Sequence, residues 1–195
     1  MKFFNLEKLN TALLLLNERL EVLNSQPINL VVCGGSALIV TKLVNRTTQD
    51  IDVVALIDEN GKLKDPEPFP PSFEKAAEIT ATTLSLPKDW INYAPVDLFR
   101  MGLPENFVNR LQEYKVGSKL TVYFISRIDQ IFFKLYATVD RGGYHISDLL
   151  TLNPTEEELL SAAKWTMTHD VSEGFREMLI FALKELGYES VANKL

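Results

Sequence analysis

Residues 28–57 read INLVVCGGSALIVTKLVNRTTQDIDVVALI, in which two apolar runs flank a glycine pair and a polar segment. The first run, residues 29–33, is short and rich in branched side chains, which is typical of a buried strand. Gly34-Gly35 ends this run, and residues 36–43 have the pattern of a short helix. Residues 50–57 then form a second predicted strand. The stretch therefore predicts a strand, a glycine turn, a helix and another strand.

The glycine pair gives the turn a surface that suits phosphate groups. Because glycine has no Cβ, a phosphate can approach the backbone of Gly34 and Gly35. A helix that begins here offers free N–H groups, and the Ser36 hydroxyl can donate to a phosphate oxygen or cap the helix. A glycine turn kept for packing alone is an equally good interpretation. The turn is neither a P-loop nor a dinucleotide fingerprint, since the further glycines and the lysine are missing.

Two aspartates open the second predicted strand. Residues two apart on a strand point to the same face, so Asp50 and Asp52 present their carboxylates side by side. Such a pair repels itself unless a cation lies between the two groups. Hard carboxylate oxygens suit Mg²⁺ (or Mn²⁺), which proteins often hold with one or two carboxylates and the phosphates of a substrate. Two solvated acids at a strand edge are the alternative interpretation.

The remaining chain divides into an α/β part and a helical part. The leucine spacing predicts a helix over residues 4–24, and further helices are expected over 73–84 and 105–114. Residues 58–71 look like a mobile surface loop, and Lys119 to Ile125 is a predicted strand. Beyond it the pattern is helical, with helices expected at 127–140, 144–152, 155–169 and 172–187. This predicts an α/β core over residues 1–125 and a C-terminal helical subdomain, packed on the core, over residues 126–195.

Together, Gly34-Gly35-Ser36 and Asp50-Ile51-Asp52 resemble the signature of the nucleotidyltransferase superfamily, which has the DNA polymerase β-like fold. Within it, the chain is similar to the AbiEii-like group of bacterial and archaeal proteins, some of which are toxins of toxin–antitoxin pairs. The stretch LPKDWIN (residues 86–92) and the block 128–149 resemble later segments of that group. The resemblance implies an α/β (α+β) nucleotidyltransferase core with a small mixed sheet flanked by helices.

The function implied by the resemblance is the transfer of a nucleoside monophosphate from a nucleoside triphosphate to an acceptor hydroxyl. The acceptor would belong to RNA, a protein or a small molecule, and Mg²⁺ or Mn²⁺ would be the cofactor. An antitoxin protein would be a further partner if the chain is a toxin. The alternative is a catalytically inactive nucleotidyltransferase fold that serves as a binding or regulatory module.

The resemblance also implies roles outside the two motifs. A lysine on a helix, followed by an aspartate on the next segment, is matched here by Lys134 and Asp148. The expected catalytic residues are then Asp50, Asp52, Lys134 and Asp148, and the expected nucleotide-binding residues are Gly34, Gly35, Ser36 and Lys134. Arg127, Lys134 and Arg141 are seven residues apart, which predicts a basic stripe on one helix face. The predicted strand at 119–125 carries no acid, so Asp97 is the candidate for a third metal-binding carboxylate.

Composition limits the partners of the chain. The net charge is −6 and the pI is near 5.0, which argues against coating nucleic acid by charge alone, although a local basic groove is compatible with it. A single cysteine, Cys33, can form neither an internal disulfide nor a structural zinc site. The apolar run at 13–16 is far too short to span a bilayer. A cytoplasmic protein without a membrane partner is expected.

Overall fold

The computed structural model describes residues 4–195, which divide into two compact units. The first unit contains the described residues up to Met101 together with Val108–Ile125, and the second contains Gly102–Phe107 and Ser126–Leu195. Every strand found in the described residues belongs to the first unit, whereas the second unit is helical. The predicted mixed α/β class is confirmed.

The first unit is built on a small, open, mixed sheet. Its strands in chain order are β1 (Ile28–Cys33), β2 (Ile51–Ile57), β3 (Leu63–Lys64), β4 (Ile91–Asn92), β5 (Gln112–Lys115) and β6 (Leu120–Phe124). The order across the sheet is β3-β2-β1-β6-β5, and β4 also pairs with β2. β1 is antiparallel to β2, while β4 is parallel to it. In this register Asp52 pairs with Cys33 on one side and with Asn92 on the other.

Helices cover the sheet of the first unit because their apolar residues recur at helical spacing. They are α1 (Leu6–Val22), α2 (Gly34–Val40), α3 (Pro71–Leu84) and α4 (Val96–Met101). Asn5 caps α1 by accepting the Lys8 N–H at 2.9 Å. The predicted leucine stripe of α1 is confirmed, since Leu9, Leu13, Leu16 and Leu20 are buried in the core that also contains Phe73 and Trp90.

The second unit consists of five helices in its described residues. They are α5 (Arg127–Arg141), α6 (Tyr144–Thr151), α7 (Glu156–His169), α8 (Glu173–Glu185) and α9 (Glu189–Ala192). The four predicted C-terminal helices are confirmed to within two residues at each end, and only α9 was not predicted. Thr155 and Glu158 form a capping box that fixes the start of α7. None of the helices described in either unit is both long and apolar enough to cross a membrane.

One predicted helix is wrong. Residues 105–114 are not one helix: a 3-10 turn over Phe107–Arg110 is followed by β5, because pairing with β6 outweighs the local helix preference. In addition, the predicted surface loop of residues 58–71 contains one short strand, since β3 pairs with β2 inside this segment. Arg100 ties the same segment to α4 through ion pairs with Asp65 at 2.8 Å and Glu67 at 2.5 Å.

Candidate functional site

The glycine turn between β1 and α2 lies against side chains from the β2 segment. Gly34 has φ +69°, the left-handed region that favours glycine. A Cβ on Gly34 would lie 2.5 Å from Oδ2 of Asp52, and a Cβ on Gly35 would overlap the hydroxyl of Thr48. The structure therefore gives both glycines a packing role, and it places the backbone of the turn directly beside the Asp52 carboxylate.

Ser36 is positioned differently from its two glycine neighbours. The helix begins at Gly34, two residues earlier than predicted, so Ser36 lies inside its first turn. The side chain is fully buried, and its hydroxyl donates to the carbonyl oxygen of Cys33 at 3.3 Å. The hydroxyl is thus used within the turn, and Ser36 as a whole has no exposed surface.

Asp50 precedes β2 directly and is half-buried. Burial raises the pKa of its carboxyl, and repulsion from Asp89 raises it further, whereas a hydrogen bond from Thr48 and the positive charge of Arg46 act in the opposite direction. The net result is a raised pKa, so ionisation of the Asp50 carboxyl carries a cost in the folded protein. A cation placed beside Asp50 would remove part of that cost.

Arg46 and Thr48 connect these residues into one cluster. Arg46 places a guanidinium nitrogen 3.2 Å from where a Cβ on Gly35 would lie, and it is one of the charges that act on Asp50. The backbone of Thr48 is held by two hydrogen bonds with Phe4, of 2.7 and 3.0 Å. The sequence analysis did not single out Arg46 or Thr48. They lie four and two positions before Asp50, in the polar segment between the two predicted strands.

The LPKDWIN stretch supplies the strand next to Asp52. Trp90 is fully buried, its indole N–H donates to the Ala77 carbonyl at 3.1 Å, and its own carbonyl accepts the Ile51 N–H at 2.7 Å. This anchors β4 beside β2 and brings Asn92 level with Asp52. The Asn92 side-chain oxygen accepts the Ala94 N–H at 2.8 Å. An amide therefore occupies the position across from Asp52.

Asp97 does not lie on a strand. It belongs to α4, its side chain is 75% exposed, and it forms a 3.5 Å ion pair with Arg100. The candidate third carboxylate thus lies on a short helix, Val96–Met101, that follows Pro95, and not on a strand of the sheet. In residues 4–195, no three His, Cys, Asp or Glu side chains are grouped so that they could hold a metal ion.

Lys134 and Asp148 are brought together inside the second unit. Nζ of Lys134 lies 2.7 Å from Oδ2 of Asp148, and both side chains are at least 95% buried. Nδ1 of His145 lies 3.5 Å from the same Nζ, and the Tyr144 ring centroid lies 5.6 Å from it. A buried ion pair of this kind joins α5 to α6, and removing either partner alone would leave an uncompensated charge.

The predicted basic stripe on α5 does not form, because its three members have different environments. Lys134 is buried against Asp148. Arg127 binds Glu158 at 2.7 Å and donates to the carbonyl oxygens of Leu152 and Asn153. Arg141 is exposed and pairs with Asp140 at 3.1 Å. The intervening apolar residues of α5 face the core of the second unit, so helical spacing alone could not show which cations reach solvent.

The described residues thus place a glycine turn against the Asp52 carboxylate at the end of a small mixed sheet. Comparison with protein families gives the particular family: the model described as nucleotidyltransferase of unknown function (DUF6036) matches residues 11–177. This span is most of the chain, and the chain belongs to that family. No curated protein and no solved structure matches it.

The packing of Gly34 makes a stability prediction. Gly34→Ala should lower the free energy of unfolding by about 2–4 kcal/mol, since it combines a left-handed backbone with a clash against Asp52. Gly61→Ala is the matched control, because Gly61 has φ +76° in the same unit but open space around it, and it should cost only about 1 kcal/mol. Urea unfolding measures both values, and equal losses would contradict the close approach.

The raised pKa of Asp50 leads to a second prediction, which concerns how stability depends on pH. Because burial raises its folded-state pKa above the ordinary value of 3.8, wild-type stability falls relative to a neutral variant as the pH rises through the raised pKa. Asp50→Asn should therefore raise Tm by on the order of 2 °C near pH 7 and lose this advantage below about pH 4. Thermal unfolding across that range is the measurement, and a lower Tm for the variant at neutral pH would contradict the electrostatic account.

The Lys134–Asp148 pair makes a third prediction. Lys134→Met and Asp148→Leu should each lower the free energy of unfolding by about 3–5 kcal/mol, because each leaves one buried charge without its partner. The double variant should recover most of the loss, since it buries no charge. A double-mutant cycle from chemical denaturation gives the coupling, and additive losses would show that the two groups act independently.

Proposed function

We propose that the chain is a Mg²⁺-dependent nucleotidyltransferase that moves a nucleoside monophosphate from a nucleoside triphosphate to an acceptor hydroxyl. The observation that carries the proposal is the contact between the Gly34-Gly35 turn and Asp52, with Asp50 in the same cluster. It joins a backbone surface free of Cβ atoms to two carboxylates. The family of the chain supports the same reaction class.

The residues of the first unit fit one magnesium ion. Asp50 and Asp52 are hard oxygen donors, and the raised pKa of Asp50 means that a nearby cation would stabilise its ionised form. Asn92 lies across from Asp52 but uses its oxygen for the Ala94 N–H, so we assign the metal to the two carboxylates alone. With so few protein ligands, most of the remaining coordination would come from water and the triphosphate. Mg²⁺ would neutralise and orient the phosphates.

The protein's own groups then have defined tasks. The turn of Gly34, Gly35 and Ser36 would bind phosphate oxygens through its backbone at Gly34, the one of the three that is partly exposed, and Arg46 would add positive charge beside Gly35. The acceptor oxygen forms a bond to the α-phosphorus while the bond to the β-phosphate oxygen breaks, and pyrophosphate leaves. The acceptor proton passes to solvent or to a carboxylate. The acceptor would be RNA, a protein or a small molecule.

Lys134 and Asp148 belong to the proposal through the family resemblance. The resemblance assigns both to the catalytic residues, and within the second unit Asp148 holds the Lys134 ammonium in place through the 2.7 Å contact. The double variant Lys134→Met/Asp148→Leu separates this role from a structural one, since it should fold but lack transfer activity. We also propose that the chain belongs to the AbiEii-like group of the superfamily, and the resemblance of the LPKDWIN stretch supports this. A toxin of a toxin–antitoxin pair is one role that such a protein would have.

A non-catalytic nucleotide-binding module is the second candidate. It is favoured by the amide of Asn92 beside Asp52 and by the exposed position of Asp97 on α4, because neither residue adds the third metal-binding carboxylate that was expected at Asp97. Such a module would bind Mg²⁺ and a triphosphate at the same turn without turnover. Binding that is lost in Asp52→Asn, together with no transfer to any acceptor, would support this candidate.

The test is transfer of label from the α-phosphate. Wild-type protein is incubated with Mg²⁺, each of the four labelled triphosphates, cellular RNA and lysate proteins. We expect covalent label on one acceptor class, and a loss of at least about 100-fold in Asp52→Asn, because the metal can no longer be held. Glu59→Gln, which removes an exposed carboxylate from the same unit, is the control and should keep full activity.

Binding decides the outcome if no acceptor is labelled. Mg²⁺ complexes of the four triphosphates are titrated into the wild type and Asp52→Asn by calorimetry. No binding of any triphosphate to the wild type would overturn both candidates. Binding without turnover would overturn the first and leave the second.

A further inference from the structure

The second unit has an open groove of about 710 Å³ that the proposed reaction does not use. It is lined by residues of α5, α6 and α8, and its apolar members are Val139, Ile146, Met178, Phe181 and Leu186. Two of them project strongly into solvent, since Phe181 is 65% exposed and Met178 is 53% exposed. Large apolar side chains grouped in this way on a surface mark a site of interaction.

The floor of the groove carries one unsatisfied polar group. Thr138, on α5, is 93% buried and lines the groove, and its hydroxyl has no hydrogen-bond partner in the part of the chain that the structure describes. Buried hydroxyls are normally hydrogen-bonded. An occupant with a polar atom among its apolar groups would satisfy Thr138.

The rim of the groove is acidic. Glu177 and Glu185 line it from α8, two turns apart, and neither has an ion-pair partner within residues 4–195. No lysine or arginine is among the residues that line it. A second copy of this chain is therefore a poor occupant, because a symmetric contact would set these carboxylates against their own equivalents on a chain of net charge −6.

We propose that this groove binds the apolar face of a basic amphipathic helix from a partner protein. Apolar residues at positions i, i+3, i+4 and i+7 of such a helix would cover Met178 and Phe181, and flanking lysines or arginines would meet Glu177 and Glu185. The spacing of the two glutamates, eight residues along α8, corresponds to about 12 Å, which matches two turns of a docked helix. The inference is independent of the proposed transfer reaction.

The test uses two labelled model peptides of about 18 residues with the same helical leucine pattern, one with lysines and one with glutamates at the polar positions. Fluorescence anisotropy measures their binding to the full chain. The leucine–lysine peptide should bind the wild type and lose about tenfold or more in affinity for Phe181→Ser. That variant should fold normally, because Phe181 is largely exposed.

Reversing the charges of Glu177 and Glu185 distinguishes binding at the groove from non-specific electrostatic attraction of a basic peptide to an acidic protein. Glu177→Lys/Glu185→Lys should lower the affinity for the lysine peptide and raise the affinity for the glutamate peptide. A folding defect would instead lower the affinity for both peptides. Two controls should change neither affinity by more than about twofold. Glu59→Lys/Glu78→Lys makes the same change in net charge in the first unit, and Val171→Ser alters a side chain that is 90% exposed and lies outside the groove.

Two results would overturn the proposal. One is binding of both peptides that is unchanged by every groove variant. The other is a dimer, seen by sedimentation, that Phe181→Ser dissociates, because it would assign the groove to a second copy of this chain.

Discussion

The close approach of the Gly34-Gly35 turn to Asp52 fixes how β1, α2 and β2 meet in the first unit. β1 and β2 pair antiparallel up to Cys33 and Asp52, so the chain leaving β1 must turn directly above a carboxylate. A residue with a Cβ at position 34 would both clash there and strain its left-handed backbone. The start of α2, the end of β1 and the position of Asp52 thus depend on one missing side chain.

Residues distant in sequence hold this contact in place. Phe4 fixes the backbone of Thr48 by two hydrogen bonds, and Trp90 accepts the N–H of Ile51, so that both sides of the Asp50 segment are anchored. The rings of Phe4 and Trp90 lie 6.0 Å apart in the same core. Rigid support from the core is what a binding site needs if its ligand groups are to be held in position before the ligand arrives.

The sequence was informative where a local pattern decides the structure. Leucine spacing predicted α1, and the pattern of residues 28–57 predicted a strand, a glycine turn, a helix and another strand, because both signals involve residues close along the chain. It failed where tertiary contacts decide. Residues 112–115 pair with β6 rather than forming a helix, Asp97 lies on α4, and Lys134 is buried rather than part of a basic stripe. The neighbour of Asp52 across the ladder, Asn92, could be found only from the register of β4.

The two units differ in whether a buried charge has a close partner of opposite charge. Lys134 and Asp148 meet at 2.7 Å, so each charge stabilises the other without any ligand. The charges that act on Asp50 leave its pKa raised, because Asp89 and burial outweigh Arg46 and Thr48. Carboxylates with a raised pKa are enriched at functional sites, where a bound cation would stabilise the ionised form. This electrostatic difference between the two units is the physical ground on which the proposed metal site rests in the first unit rather than the second.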